Sequence, residues 1–460
     1  MIKHIGHWVR DLLIRNKSMN ATRIVAAGFA FIILMGGLLL MLPISSRSGE
    51  VTDFLTTLFT ATSATCVTGL IPVDTWLHWS FFGQLIILAL IQLGGLGFMT
   101  IITMVSFLLH RRIGLSERLI MVSTFNLNDM DGVVRVVRHA LMGTFYIESA
   151  GAIILALRFI PDFGLLGGIW RGIFHSISAF CNAGFDLLGG KFGAFVGMAG
   201  YNDDPVILIT IMCLIVVGGL GFFVWEDVIT KRCWAKLSLY SKMVIAITAG
   251  LIVGGALFFF SVEYTNPATL GSMPLGQKIL NAFFESVTLR TCGFASFDQA
   301  GLRDSSLVMG CILMLIGGSS GSTAGGMKTV TAALLVLGLR AGLSGKEEVT
   351  LRGRSFSYRR VLSAMTLALI LVMMFLFGSI AISLAEGVPY LHAAFETASA
   401  IGTVGVTAGI TPSLSPFSEI ILICLMYLGR IGVFSFSVAF ITRNRRATAL
   451  KYPNLDVMIG

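Results

Sequence analysis

The chain has 460 residues, of which 55% are hydrophobic and 12% are charged, and its mean hydropathy is +0.86. A soluble domain carries about twice that share of charge, so the composition excludes a soluble protein and indicates an integral membrane protein. The seven cysteines are odd in number and contain no Cys-x-x-Cys pair, which argues against a disulfide framework or a cysteine metal cluster.

A basic segment, residues 1–23, precedes a first predicted repeat over residues 24–109. An apolar run at 24–44 has the length of about 20 residues that a membrane-spanning helix needs. A shorter segment at 54–64 leads into a glycine-containing loop, and a second long apolar run follows at 81–109. The order of span, half-span, glycine loop and span predicts a membrane–pore-loop–membrane unit.

The same order recurs three times, which predicts further repeats at 110–230, 231–340 and 341–442 and a tail at 443–460. The predicted first spans are 140–157, 243–260 and 361–384, the half-spans are 172–179, 279–287 and 390–400, and the second spans are 205–228, 307–339 and 420–441. We therefore expect an all-α integral membrane protein in which eight spans and four half-helices surround one pseudo-fourfold pore.

Each predicted loop contains a three-residue sequence that ends in glycine. The fourth, Thr-Val-Gly, reads like the start of a potassium-channel filter, in which backbone carbonyls replace the hydration shell of the ion. The four glycines are 115, 109 and 112 residues apart, and a Phe precedes each by ten residues. In the third repeat Phe283 and Phe284 can each take that position. Four phased copies predict one filter, made of Val67, Thr68, Gly69, Asn182, Ala183, Gly184, Thr291, Cys292, Gly293, Thr403, Val404 and Gly405.

The charge pattern predicts the ion and the topology. The C-terminal ends of four half-helices carry partial negative charge and favour a monovalent cation. Only Asp186 lies close to a filter glycine, which argues against a calcium site. The segments before, between and after the repeats hold 24 of the 33 Lys and Arg residues. By the positive-inside rule these segments, with both termini, are expected in the cytoplasm, so the net charge of +9 reflects topology and not nucleic-acid binding.

The second span of the third repeat is interrupted by a Gly- and Ser-rich run at 317–326. Each Gly costs about 1 kcal/mol in a helix relative to Ala, so this run is expected as a loop buried in protein or lining water. We interpret it as a gate below the filter, and the alternative is a packing kink. Arg430 lies at the matching depth of the fourth repeat, and Lys328 either bonds the loop or extends to a membrane surface. The predicted gate residues are Gly317, Gly318, Ser319, Ser320, Gly321, Ser322, Thr323, Gly325, Gly326, Lys328 and Arg430.

These residues resemble the Trk/Ktr/HKT superfamily of potassium transporters, and within it most closely the bacterial Ktr membrane subunit, KtrB. The resemblance covers nearly the whole chain. It is carried by Cys66-Val-Thr-Gly-Leu70, Asn182-Ala-Gly-Phe185, Arg290-Thr-Cys-Gly-Phe294 and Gly402-Thr-Val-Gly-Val406, together with the Gly-Ser loop and Arg430. The chain departs from the Ktr pattern at Leu289 and Cys292.

The resemblance implies potassium uptake across the plasma membrane, the inner membrane of the cell, with the possibility of sodium dependence left open. It also implies a homodimer and a cytosolic nucleotide-binding regulatory subunit of the RCK type, like KtrA. Some plant HKT relatives that pass sodium carry Ser at the first filter glycine, so Gly69 favours potassium. The expected ligands are the potassium ion and membrane lipid, with no nucleotide bound by this chain.

Three other functions were weighed. A less selective sodium/potassium transporter differs from the first interpretation only in the filter. A secondary transporter also has broken helices, but usually as inverted repeats, whereas the four repeats here run in the same direction. A membrane-bound enzyme would need a cluster of titratable residues in a cavity, which the sequence does not indicate.

Overall fold

The computed structural model describes residues 21–97, 133–346 and 348–432, and this part of the chain is predominantly helical. Its longer helices are α1 (Ala21–Leu40), α2 (Phe54–Cys66), α3 (Phe81–Leu96), α4 (Val133–Cys181), α5 (Pro205–Leu220), α6 (Phe222–Lys231), α7 (Leu239–Glu263), α8 (Leu275–Thr288), α9 (Asp304–Leu315), α10 (Thr329–Leu343), α11 (Tyr358–Glu386), α12 (Tyr390–Gly402) and α13 (Pro416–Ile431). Short helical turns lie at Pro43–Ser45, Thr75–His78, Gly189–Phe192, Gly197–Tyr201, Trp234–Lys236, Gln299–Gly301 and Thr411–Ser413.

The four predicted half-helices form the buried centre of the fold. Every residue of α12 from Ala393 to Gly402 is buried, and so is every residue of α2 from Phe59 to Cys66. Asp53 caps the start of α2, because its carboxylate accepts the free N–H groups of Leu55 and Thr56. Small residues dominate these segments, which lets neighbouring backbones approach closely.

The second half-helix reaches the centre by folding back on its own span. Within α4, Gly164 leaves the helical conformation at φ 73° and ψ 172°, which is where the chain reverses. Beyond this turn, a Cβ on Gly168 would meet the backbone of Ile160, and one on Gly172 would meet that of Ala156. The two parts of α4 therefore pack closely against each other, as a span and a re-entrant half-helix would.

Glycine ends the second helix of three repeats. α3 ends at Gly97, α5 at Gly221 and α13 at Gly432, with φ of 79°, 90° and 88°, which favour glycine. At Gly221 the chain bends by 95° into α6. The prediction of one continuous span over 205–228 is therefore wrong. The predicted parts of the other two spans at 98–109 and 433–441 lie outside the described residues.

Three helices of the described residues are long and apolar enough to cross a membrane, namely Arg138–Cys181, Leu239–Glu263 and Tyr358–Glu386. The bent α5–α6 pair makes a fourth if it counts as one broken span. Shorter apolar helices lie at Val25–Leu40, Phe81–Leu96, Asp304–Leu315 and Thr329–Leu343. The number of eight spans therefore stays a prediction.

Large apolar side chains cover the outside of these helices. Phe377 and Leu384 on α11 are 70% and 80% exposed, and Leu157 on α4 is 67% exposed. A soluble monomer rarely exposes apolar surface on this scale, whereas a lipid-facing helix does.

One small element contradicts the prediction of an all-α protein. Strands β1 (Thr350–Leu351) and β2 (Arg354–Ser355) pair antiparallel in the link before α11. The two residues between them, Arg352 and Gly353, have φ of 49° and 76°. Positive φ at both central positions is typical of the turn that matches the twist of a two-residue hairpin.

Candidate functional site

The four predicted filter triads share one backbone conformation. The first residue of each triad is left-handed, with φ of 57° at Val67, 62° at Asn182, 81° at Thr291 and 51° at Thr403. The third residue also has positive φ, at 99°, 69°, 94° and 98° for Gly69, Gly184, Gly293 and Gly405. Positive φ is rare and unfavourable for the β-branched residues among them. The surrounding protein must therefore hold all four loops in this conformation.

The four glycines lie in a closed ring. A Cβ on Gly69 would overlap the carbonyl oxygen of Ala183, and one on Gly184 would overlap that of Cys292. In the same way Gly293 faces the carbonyl oxygen of Val404, and Gly405 faces that of Thr68. Each loop thus abuts the next, and the fourth abuts the first. The ring leaves no room for a side chain at any of the four glycine positions.

A hydroxyl group in each half-helix braces its loop. Ser63 and Ser399 accept the N–H of Gly69 and Gly405 at 3.0 and 2.9 Å. Ser178 and Thr288 instead donate to the carbonyl oxygens of Phe185 and Phe294 at 2.8 and 2.7 Å. Sequence reasoning missed these four residues. The signal that could have found them is a Ser or Thr six residues before the glycine, or five in the third repeat.

The third repeat is one residue shorter between its Phe and its glycine. Phe59, Phe174 and Phe395 are fully buried, and their counterpart is the fully buried Phe284, since Phe283 is 36% exposed. Of the two candidates that the sequence leaves open, Phe284 therefore takes the phased position, and the spacing of ten residues is nine in the third repeat. The hydroxyl of Thr288 shows the same shift by one residue.

The residue after each buried Phe faces the returning loop in three of the repeats. His175 Nε2 accepts the N–H of Leu187 at 3.4 Å, while its Nδ1 lies 2.8 Å from the carbonyl oxygen of Arg171. Glu285 accepts Nε2 of Gln299 at 3.0 Å. Glu396 accepts three donors, from Thr407, Ala408 and Thr411. Sequence reasoning missed these residues too, although each directly follows the phased Phe.

Several oxygens of the triads have no hydrogen-bond partner among the described residues. These are Oγ1 of Thr68, Oδ1 of Asn182 and Oγ1 of Thr403, all buried. Asn182 Nδ2 donates to Oγ1 of Thr291 at 3.1 Å, which joins the starts of the second and third triads. Neutral hydroxyl and carbonyl oxygens without donors are the ligand type that an alkali cation takes up. The set therefore suits a monovalent cation better than an anion.

Residues 317–326 form a loop between α9 and α10 that packs against the broken helix of the second repeat. The Ser319 N–H donates to the carbonyl oxygen of Gly219 at 3.0 Å, and the Phe222 N–H donates to that of Gly321 at 3.0 Å. Thr323 Oγ1 donates to the carbonyl oxygen of Phe180, two residues before the second triad, at 3.1 Å. The loop thus satisfies backbone groups that the break at Gly221 exposes.

The same loop also touches the fourth triad. A Cβ on Gly325 would overlap the Thr403 side chain, and one on Gly326 would lie 3.2 Å from the carbonyl oxygen of Gly402. Gly317 and Gly318 close the base of the loop, because Gly317 N–H donates to Met327 and Thr329 N–H donates to Gly318 at 2.8 and 3.0 Å. In the middle of the loop, the Ser322 hydroxyl donates to the carbonyl oxygen of Ser319 at 2.7 Å. The Tyr240 hydroxyl donates to the carbonyl oxygen of Ser320 at 3.5 Å.

Three cationic side chains bond the carbonyl oxygens of this loop, and one of them, Arg290, donates to that of Gly317 at 3.5 Å. Arg430 donates to the carbonyl oxygen of Thr323, and its other Nη donates to those of Gly94 and Gly95 at the end of α3. Lys328 donates to the carbonyl oxygen of Ala324 at 2.7 Å, so it bonds the loop and does not extend to a membrane surface. Arg430 thereby connects the first, third and fourth repeats.

In three repeats the second helix has a glycine three residues before the glycine that follows the helix. This glycine contacts the half-helix of its own repeat. Cβ atoms on Gly94, Gly218 and Gly429 would overlap the carbonyl oxygens of Thr65, Phe180 and Ile401, each four residues before the filter glycine. In the third repeat the aligned Gly317 instead faces the carbonyl oxygen of Gly325 within the loop. The third repeat therefore departs from the other three where its helix is interrupted.

Asp186 follows the second triad, outside the spanning helices. Its Oδ1 accepts the N–H of Leu188 at 3.0 Å. Burial raises the pKa of Asp186 to about 6, and the charge of Asp74 adds to that shift. The carboxylate is therefore charged at neutral pH and becomes neutral in mildly acidic medium, close to the ring.

Comparisons with known proteins agree with this geometry. Residues 6–448 match the family model TrkH, described as a cation transport protein. The potassium/sodium uptake protein NtpJ of Enterococcus hirae is 39% identical over 449 residues, covering 96% of this chain and 98% of that protein. The Ktr system potassium uptake protein B of Bacillus subtilis is 36% identical over 451 residues, covering 98% and 99%.

A solved structure shows the same fold. The crystal structure of the potassium transporter TrkH from Vibrio parahaemolyticus superposes with a TM-score of 0.71 at 17% identity, over 92% of this chain and 85% of that one. Together with its apolar helices, these matches show that the chain is a membrane protein of a transporter family, and this is not an enzyme family. The chain belongs to the TrkH family of cation transport proteins.

Proposed function

We propose that this protein takes up potassium across the plasma membrane through a filter formed by the four loops. The observation that carries the proposal is the closed ring of loops, each with a left-handed first residue and a glycine at the third. Backbone carbonyls in such loops can replace the hydration shell of an ion without any covalent chemistry. The names of the relatives support potassium as an ion that is carried, because one is named a potassium/sodium uptake protein and another a potassium uptake protein.

The architecture that fits this function has eight spans and four re-entrant half-helices. The fold of the structural neighbour and the return of the chain at Gly164 support it. We propose that the basic links lie in the cytoplasm with both termini, since the positive-inside rule applies to short links of this kind. The half-helices then enter from outside and direct their negative ends toward the filter.

The loop at 317–326 and Arg430 are proposed as the gate. The loop lies between the second and fourth triads, and Arg430 bonds it to α3. In this arrangement the loop blocks the path by its volume and Arg430 opposes cations by its charge. Opening requires the loop to move aside, most simply by motion of α10, which begins at Thr329.

Control by other subunits is part of the same proposal. We propose a homodimer and a cytosolic nucleotide-binding partner of the RCK type, as the resemblance implies. The exposed arginines 352, 354, 359 and 360 surround the β1–β2 hairpin and offer a cytoplasmic docking surface, which anionic lipid could also occupy. We propose further contacts at three arginines of the link after the first repeat, which lie outside the described residues: Arg111, Arg112 and Arg118.

Flux into proteoliposomes tests the function. Purified protein should take up radioactive rubidium, and external potassium should compete with it while an equal concentration of sodium should not. Equal competition by both ions would favour the second candidate, a less selective sodium/potassium transporter, which the name of the Enterococcus relative suggests. Rubidium uptake no faster than in protein-free vesicles, with and without the regulatory partner, would contradict both.

A further inference from the structure

Behind the third loop lies a group of buried oxygens that lack donors. Glu285 is fully buried, and Nε2 of Gln299 donates to its Oε2 at 3.0 Å. Its other oxygen, Oε1, has no partner among the described residues, and neither do Oε1 of Gln299 and Oγ of Ser296. All three residues are at most 1% exposed. An unsatisfied buried acceptor costs about 1–3 kcal/mol, and more when it is charged.

The fourth repeat shows how a carboxylate in this position is normally satisfied. The Oε1 of Glu396 accepts the hydroxyl of Thr407 and the N–H of Ala408, and its Oε2 accepts the hydroxyl of Thr411. Counted from the filter glycine, the third-repeat counterparts of these residues are Ala295, Ser296 and Gln299. Gln299 replaces one hydroxyl donor, but Ala295 cannot replace the other. The N–H of Ser296 also does not donate to Glu285 as the N–H of Ala408 donates to Glu396, and the two differences together leave one oxygen of Glu285 without a donor.

The electrostatic environment makes the deficit larger. Glu263 accepts four donors, from Asn266, Thr269, Arg303 and Ser306, and such a set holds a carboxylate in its charged form. Neither carboxylate takes part in any of the salt bridges found in the described ranges. The site around Glu285 therefore has acceptors that lack donors and, among the described residues, no cationic partner in a salt bridge.

We propose that Glu285, Gln299 and Ser296 bind a sodium ion behind the third loop. The site is made only of oxygens with one formal charge among its three residues, which suits an alkali cation. No group of three or more His, Cys, Asp or Glu residues suited to a metal occurs in the described part of the chain, so a transition metal or calcium lacks its usual ligands. Complete burial of the three side chains favours the smaller alkali ion. Backbone oxygens or water complete its shell.

The ion would replace what the Thr407 hydroxyl does in the fourth repeat. It would hold the loop from Gly293 to Gln299 against α8, and so support the third corner of the ring. This is a structural ion bound at one carboxylate, separate from the ions that pass through the ring.

Thermal unfolding in detergent tests the site without any transport, so its outcome is independent of the proposed function. Potassium-free buffers replace choline chloride by sodium chloride at constant ionic strength. We expect a saturable rise of Tm by about 2 °C or more in the wild type, as mass action predicts for an ion that binds only the folded state. The rise should be lost in Glu285→Gln and in Ala295→Thr, which supplies the missing hydroxyl, and kept in Glu396→Gln.

Each other result overturns the proposal. An equal rise in all four proteins would place the sodium effect elsewhere, for example in the ring. A Tm that is insensitive to sodium, but depends on pH in the wild type and not in Glu285→Gln, would mean that a proton satisfies Glu285. No response to either would mean that water alone does so. If Glu285→Gln does not fold, Ala295→Thr decides, because it leaves the carboxylate in place.

Discussion

The third and fourth repeats have the same backbone geometry in the ring. They differ in the contacts of the buried carboxylate behind the ring and in the helix that follows it. In the fourth, Glu396 has a donor for each oxygen, and α13 runs without interruption to Arg430. In the third, one oxygen of Glu285 lacks a donor, and the second helix opens into the loop at 317–326. Yet Gly293 and Gly405 have φ of 94° and 98°. The ring constrains the backbone strictly, whereas the support behind it and the helix beyond it are free to diverge.

The differences between the third and fourth repeats complement each other. A cationic side chain in a membrane needs hydrogen-bond acceptors, and a broken helix has carbonyl oxygens that lack their intrahelical donors. The third repeat supplies the carbonyl of Thr323, and the fourth supplies the guanidinium of Arg430 that binds it. Neither feature would be stable in its own repeat alone, which explains why both departures occur in the same molecule.

The shared ring predicts equal and large effects of substitutions in both repeats. Gly405→Ser and Gly293→Ser should each lower potassium over sodium discrimination about tenfold or more, equivalent to about 1.4 kcal/mol, because the new Cβ meets the carbonyl of the next loop. Ion competition against rubidium uptake measures the effect. Gly254→Ser is the control, since a Cβ there meets nothing within 4 Å. A loss at only one ring glycine would show that the loops are not equivalent.

The hydrogen bonds of Arg430, which we call the latch, join the fourth repeat to the third and to the first. Their loss predicts the next largest effect. Arg430→Ala removes the donors to Thr323, Gly94 and Gly95. A loss of about 1.4 kcal/mol from the closed state would raise the open-to-closed ratio about tenfold, so maximal flux should rise several-fold. Deleting residues within 317–326 should act in the same direction.

Potassium affinity should change little in these variants, because the ring is untouched. The exposed Arg303→Ala serves as the charge-matched control for Arg430→Ala, judged by maximal rubidium flux and half-saturating potassium in proteoliposomes. A variant that loses affinity without gaining flux would assign the latch to ion binding or folding.

The two buried carboxylates should differ in what they contribute to stability. Glu396→Ala leaves three donors without an acceptor and should cost about 3 kcal/mol, whereas Glu285→Ala should cost about 1 kcal/mol or less in sodium-free buffer. Thermal unfolding in detergent compares the two. Equal losses would mean that Oε1 of Glu285 also has a donor. Thr407→Ala sharpens the comparison, because it leaves Oε1 of Glu396 with the N–H of Ala408 as its single donor and should cost about 1 kcal/mol.

The smallest expected effect lies outside the third and fourth repeats, at Asp186. Because its pKa is raised to about 6, the carboxylate is charged above external pH 6 and neutral below it. Loss of this charge should weaken potassium affinity by about twofold to threefold as the external medium is acidified through that range. Asp186→Asn should show the weaker affinity at every pH, and the exposed Asp203→Asn should behave like the wild type. A pH profile that is unchanged in Asp186→Asn would assign the titration to another group.

The sequence predicted the loops because glycine reports backbone geometry directly. Gly69, Gly184, Gly293 and Gly405 are phased, and positive φ together with the close approach of the next carbonyl leaves no alternative residue. The half-helices followed from the buried Phe that precedes each glycine. The helix bounds of α2 and α12 extend only two residues beyond the predicted ends.

Features that depend on contacts between repeats could not be predicted in this way. The break at Gly221 was missed because the surrounding residues are continuously apolar, although Gly97, Gly221 and Gly432 follow the aligned glycines at the same distance of three. The partners of Arg430 belong to other repeats, at Gly94 and Thr323, and no local pattern identifies them. The hairpin at 350–355 depends on positive φ at both Arg352 and Gly353, and only the glycine of this pair is a turn signal in the sequence.

Closure of the ring within one covalent chain has a consequence for how such a pore can evolve. In a tetramer of identical subunits every substitution appears four times, so a change that is tolerable in one quadrant is usually excluded by the other three. Here each quadrant mutates alone. Asn182, Cys292 and a single Arg430 could arise because the remaining quadrants kept the fourfold backbone intact. Single substitutions can therefore make this ring asymmetric, and in the proposed function selectivity and gating can change in separate quarters of it.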